Sequence, residues 1–288
     1  MQITSLGYLT DLAIRRAEGA ETADRGDYVA IRSPGNPGYW WGNFLLLAAP
    51  APGPRGLAHW LGRFEAEFPG ARHQAFGLDV TAATAVDPEM FLAAGFQPES
   101  NVVLTARSVR PARPPDLPVV IRPLAGDEDW QRSGDLRRAC AVADEPAGDV
   151  AGDAVRPGQA NVAEAEAAQA GAERQAFEER KLAGKRRLTE QGHGAWLGAF
   201  AGDTLVAQLG VVAAGHGLAR YQDVETHPGY RRLGLAGALV TRAAEVAVTA
   251  FGAGQLVIVA DPGYHAIRLY QSLGFTVAQD QVGFVRPP

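Results

Sequence analysis

Between residues 222 and 239 the chain reads QDVETHPGYRRLGLAGAL, and the order of residue types carries chemistry. An extended run ends at Pro228, a loop with Arg231, Arg232 and Gly234 follows, and an alanine- and leucine-rich helix begins at once. A loop that opens straight into a helix presents the unpaired N–H groups of the first turn. With the positive end of the helix dipole, those donors form an anion site. Gly234, Ala236 and Gly237 keep bulk away, so a phosphate can approach the backbone closely. One reading is a strand–loop–helix that holds a pyrophosphate; the other is a tight turn flanked by arginines. Upstream, Asp223, Glu225 and His227 alternate along an extended run and share one face, where a carboxylate or imidazole can accept a proton. Glu225 is the central candidate, and a solvated strand face is the competing account. Downstream, Tyr270 lies at helical spacing with Ala266 and Leu273, which by periodicity alone makes it a core-facing aromatic.

Two of these patterns together are specific. Arg231-x-x-Gly234-x-Ala236 resembles the acyl-CoA pyrophosphate loop of the GCN5-related N-acetyltransferases (GNAT), and A-x-x-L-Y-x-x-x-G-F from Ala266 to Phe275 resembles a later helix and strand of that family. A helix (about 237–251) and an apolar strand (255–260) separate them, as the family's order requires, and the similarity covers roughly residues 118–288. The resemblance implies acetyl-CoA as cosubstrate. Its pantetheine arm is expected to pair with the backbone of Val224, Glu225 and Thr226, and its pyrophosphate to sit beside Arg231 on the loop amides of Arg232, Leu233, Gly234, Leu235, Ala236 and Gly237. It also implies Tyr270 as the acid that protonates the departing thiolate, a role suited to a phenol of pKa near 10. The base is less determined. Positions where relatives often carry a glutamate hold Arg220 and Ile258, and a common asparagine is replaced around Asp261, Pro262 and Gly263. His265 is read as structural or solvent-facing.

The elements that must position these residues follow from composition. Four prolines within 110–118 exclude a helix or central strand and mark a stiff connector. Beyond it come a strand at 119–124, helices at about 127–142 and 164–190, a hairpin of 195–201 and 204–214 about Gly202-Asp203, and a strand at 218–227. Residues 144–158, with two prolines and three glycines, read as loop. Residues 1–110 echo the plan: strands at 28–31 and 43–48, a helix at 57–68, a strand at 74–80, a short helix near 88–94, and a strand at 101–106. FLAAGF ending at Phe96 parallels LYQSLGF ending at Phe275. Where a phosphate loop belongs, residues 50–56 read PAPGPRG, and prolines remove the N–H donors an anion needs. The expected fold is therefore α/β of the acyl-CoA N-acyltransferase (GNAT) type, a mixed central sheet flanked by helices, in two tandem halves. A degenerate half spans 1–110, a linker 111–118, and the acetyltransferase half 119–288. The aromatic run Tyr39, Trp40, Trp41 reads as a plug between the halves or a wall of the acceptor pocket.

Composition limits the alternatives. The 288 residues are 47% hydrophobic with net charge −5, which supports packed cores and argues against a nucleic-acid or anionic-membrane partner. Lys181 and Lys185 are the only lysines among 27 basic residues, a bias of GC-rich bacterial genomes. A single cysteine, Cys140, excludes an internal disulfide and reads as a buried thiol on a helix. The six histidines are scattered, which gives no metal pattern. The first residues lack a signal-peptide pattern and no run reaches membrane-span length, so a cytoplasmic protein is expected. The expected activity is acetyl transfer from acetyl-CoA to a primary amine of a small molecule or peptide. A protein that binds or senses acyl-CoA without turnover is the competing class, and oligomeric state is left open.

Overall fold

The computed structural model describes residues 1–49, 56–144, 160–263 and 266–287. The proline-rich residues 50–55, most of the 144–158 loop, and His265 lie outside the described residues. The chain runs α1 (Leu6–Ala17), β1 (Glu21–Asp24), β2 (Tyr28–Arg32), β3 (Phe44–Ala48), α2 (Gly56–Glu67), β4 (Gln74–Asp79), α3 (Glu89–Ala93) and β5 (Gln97–Ala106). It continues as β6 (Val120–Pro123), α4 (Gly126–Asp144), α5 (Ala160–Glu190), β7 (Gly194–Ala201), β8 (Thr204–Gly215) and β9 (Leu218–Thr226). Last come α6 (Leu235–Phe251), β10 (Gln255–Ala260), α7 (Ala266–Ser272) and β11 (Thr276–Arg286). Among the described residues no helix is long and apolar enough to cross a membrane.

The strands join into one mixed sheet in the order β1-β2-β3-β4-β11-β5-β10-β9-β8-β7-β6. Its centre departs from two halves laid side by side. β5, the final strand of the first half, pairs antiparallel with β10 of the second, from Ala106 opposite Leu256 to Val102 opposite Ala260. β11, the final strand of the second half, pairs antiparallel with β4 of the first and also with β5. Each half thus lends its last strand to the other. The division at 110–118 follows the chain in sequence, while the sheet crosses it. Alternation explains why exchange is stable: Val282 and Phe284 enter the first half's core, where Phe284 stacks on Phe91 at 4.1 Å, and Leu104 and Ala106 enter the second half's.

Helix α1, to which the sequence reading assigns no element, covers the join. Ser5 caps it by accepting from the Tyr8 amide at 3.4 Å, and Arg15 and Arg16 occupy its last turn. Tyr8 and Leu12 pack on Val29, Ile31 and Phe44 of the first half, and Leu6, Leu9 and Ala13 on Val103, Leu218 and Val257 across the centre. On the opposite face α6 buries Leu239, Val240, Ala243 and Ala247 against Ala219, Leu256 and Ile258. Its spacing of three and four residues gives one apolar stripe.

The connector is strapped down. The Ala112 amide donates to Thr241 Oγ1 at 3.2 Å and the Asp116 amide to Leu233 O at 3.0 Å, which holds residues 111–116 against the start of α6. Of the aromatic run, Trp40 stacks on His73 (6.1 Å) and Trp41 Nε1 donates to Glu99 Oε2 at 2.6 Å. Tyr39 alone crosses to α5, meeting Phe177 edge-on at 5.7 Å. This favours the plug over the acceptor wall.

Candidate active-site cleft

Two parallel strands part to make the site. β10 pairs with β9 at Gln255–Leu218, Leu256–Ala219 and Val257–Arg220, and there the pairing stops although both strands continue. The cause lies in β9. Against β8 its register slips between the Gln208–Glu225 and Gly210–Gln222 pairs, and Asp223 has a φ of 45°. That is a β-bulge, which bends the strand and increases its twist. From Tyr221 to Thr226 one backbone edge of β9 has no strand partner among the described residues. In the first half the related β3 and β4 stay paired through Ala48–Asp79, and the Asp79 carboxylate accepts from the Ser5 amide at 2.8 Å. The described residues there show no comparable split.

The split meets the start of α6. Gly234 takes the left-handed conformation (φ 80°) that lets the loop turn into the helix, and no side chain caps the helix N-terminus. Uncapped amides, small residues and two arginines suit a pyrophosphate. The sides of this opening form a cleft of about 1590 Å³, with α4 and α5 on one side and α6 and α7 on the other. Val224, Glu225, Thr226, Arg231, Arg232, Gly234, Leu235, Ala236, Gly237 and Tyr270 all line it. Leu233 does not; its side chain packs towards the core and its carbonyl holds the connector. Tyr270 is 4% exposed, so it packs in the core and borders the cleft at once.

Around Glu225 the electrostatics are set by groups the sequence reading passes over. Arg137 of α4 donates to Glu225 Oε1 at 3.0 Å and to Glu178 Oε2 at 2.5 Å, and lies 3.8 Å from Asp223. Buried Gln208 donates to Glu225 Oε2 at 2.7 Å and accepts from Ser133 Oγ at 2.6 Å. Lys185 pairs with Asp223. Burial and the adjacent Asp223 charge hold the Glu225 carboxyl above the usual carboxylate range. Asp223 moves the other way: against the cost of burial, Lys185 and Arg137 hold it well below that range. Two neighbouring carboxyls pushed apart in this way divide the labour, one fixed as an anion and one able to take up a proton. The shared face expected for Asp223, Glu225 and His227 is interrupted by the bulge. His227 turns to accept from the Gly229 amide at 3.2 Å and caps the following 3-10 turn. Cys140 is buried on α4, with Sγ 3.4 Å from Thr226 O.

The missed groups left different traces. Gln208 was detectable as a polar residue inside the apolar strand TLVAQLGVV. Arg137 had no such mark, since one arginine on a charged helix resembles another. Among the described residues no cluster of His, Cys, Asp or Glu is suited to a metal ion.

Known proteins share this architecture. The model of the acetyltransferase (GNAT) family matches residues 161–275. A GCN5-related N-acetyltransferase from Kribbella flavida superposes with TM-score 0.58 at 17% identity, over 99% of this chain and 97% of its own. One from Sphaerobacter thermophilus gives 0.54 at 15%, over 99% and 94%. A tandem GNAT protein from the clavulanic acid biosynthesis pathway gives 0.52 at 15%, over 98% and 94%. No curated protein matches the chain. At these identities the structural likeness establishes the fold, and it extends over both halves.

Proposed function

We propose, from the premise that residues 161–275 form a GNAT-family acetyltransferase domain, that this protein moves an acetyl group from acetyl-CoA to a primary amine. The observation that carries the reading is the parting of β9 from β10 at the Asp223 bulge, directly beside the uncapped N-terminus of α6. Acetyl-CoA supplies the activated thioester. The free edge from Tyr221 to Thr226 offers amides that can pair with the pantetheine arm and polarise the thioester carbonyl as negative charge develops on its oxygen. The loop from Arg231 to Gly237 holds the pyrophosphate. Glu225, its carboxyl raised by burial and the Asp223 charge and held in place by Gln208 and Arg137, takes a proton from the acceptor's ammonium, directly or through one water, and so frees the amine to attack. Tyr270 gives its proton to the departing thiolate. The C–N bond forms, the C–S bond breaks, the second proton lost from nitrogen restores the Tyr270 phenol by way of solvent, and an acetamide and CoA thiol leave. A cleft of this size accommodates a small-molecule or peptide amine beside the thioester.

The experiment is calorimetric titration with acetyl-CoA, followed by thiol-release assays over a panel of polyamines, amino sugars and peptides. Tight binding with amine-dependent thiol release supports the reading. Tight binding without release from any amine identifies an acyl-CoA sensor instead, and absence of binding removes the site assignment.

A further inference from the structure

A second, smaller cavity of about 140 Å³ lies where α1 and the loop at 33–39 meet α5. Its walls carry Arg15 and Asn36 from the first half and Arg180, Lys181 and Arg187 from the second. Its one acidic residue, Glu18, is already paired with Arg15. Arg180, Lys181 and Arg187 have no acidic partner at ion-pair distance among the described residues. Burial, with the Arg137 charge beyond the cavity, pushes Lys181 down to about 8.

Two buried donors there are unmet. Asn36 is only 8% exposed, and its Oδ1 accepts from Arg180 Nε at 3.2 Å, which fixes the amide so that Nδ2 is its donor end. That Nδ2, and Arg15 Nε, find no acceptor. Buried donors are nearly always satisfied, and both of these unmet ones belong to residues that wall this cavity.

We propose that the seam cavity binds a small oxyanion, either free phosphate or the phosphate group of a small phosphomonoester, clasped between the two halves. Guanidinium and amide donors converging from several elements suit the three or four oxygens of a phosphate, whereas a carboxylate has oxygens for fewer of them. The volume admits one phosphate, and Arg180 and Arg187 reach the surface, so an ester group would extend to solvent. The same helix borders both sites: Glu178 and Leu182 line the cleft, and Arg180 and Lys181 the cavity. A bound anion would therefore fix the wall that carries Arg137's partner Glu178.

The test is thermal unfolding of the full chain in inorganic phosphate, glycerol phosphate, acetate or chloride at matched ionic strength. Phosphate is expected to raise the midpoint saturably, by about 5 °C at a hundred times its Kd, with acetate no better than chloride. A matching rise with glycerol phosphate assigns the site to phosphomonoesters, and a rise with phosphate alone assigns it to the free anion. The rise should vanish in the Arg180→Gln/Arg187→Gln double variant and in Asn36→Asp, and persist in Ala236→Glu, which blocks the α6 terminus. No phosphate-specific rise, or a rise kept by the double variant and lost in Ala236→Glu, overturns the proposal.

Discussion

At the scale of residues, the reaction reduces to three side-chain tests. Ala236→Glu places an acid in the first turn of α6, which the helix dipole tolerates but a pyrophosphate does not. It should weaken acetyl-CoA binding at least tenfold by calorimetry, with the melting temperature unchanged. Gly234 is a poorer probe. Its φ is 80°, a backbone conformation that residues with a Cβ rarely adopt, so a substitution there would confound binding with strain. Tyr270→Phe keeps the ring and removes the proton, so kcat should fall about 10²–10⁴-fold while acetyl-CoA affinity holds. Glu225 titrates above an ordinary carboxylate, so kcat/KM should rise with pH along a limb displaced upward from that range. Glu225→Gln should lower the rate and abolish that limb in a pH–rate profile. The meeting of Tyr270 and the loop at one cleft was legible because their spacing repeats a known pattern. Arg137 and Ser133 were not, since their part in the site depends on which way α4 lies on the sheet, and no local signal encodes that.

At the scale of elements, β6 is tied to α4 by a fork. Arg122 donates to both oxygens of Asp129, with Arg122 Nη2 to Oδ1 at 2.9 Å, and the Ala125 amide donates to the same carboxylate at 2.9 Å. Against the cost of burial, that donation from Arg122 holds Asp129 down at about 2. Because the folded value lies below the unfolded one, the stabilisation is present above about pH 4 and lost as pH falls through about 2. Asp129→Asn should therefore cost about 1 kcal/mol at neutral pH and nothing in strong acid, by denaturant unfolding at each pH. Element positions were largely legible: the predicted strands and helices of the second half each have a counterpart, because their periodicities are clean. Helix α1 carries the same kind of signal, Ser5 before an amphipathic run and arginines at its end, but no motif adjoins it.

At the scale of the molecule, the exchange of β5 and β11 makes each half depend on the other. Residues 119–288 alone would leave β10 without β5 and β11 without β4, exposing a long apolar edge. That fragment should be insoluble or inactive by itself. Co-expressed with residues 1–118 it should copurify and regain acetyl-CoA binding; an active, monodisperse fragment alone would contradict the dependence. Nothing in the sequence announced the exchange. β5 and β11 each end a half in the same way, and an alternating strand fits either neighbour, so only the global pairing decides.

The exchanged strands also set a clock on biosynthesis. β4 pairs early with β3 but finds its second neighbour, β11, only after residue 286 has been translated, some two hundred residues after β4 itself was made. Until then the first half waits with an open edge, in the form that chaperones recognise and neighbouring nascent chains can mispair with. Its folding should be largely post-translational and slow, governed by contacts far apart in sequence, and ribosome-bound chains truncated before β11 should remain protease-sensitive in both halves.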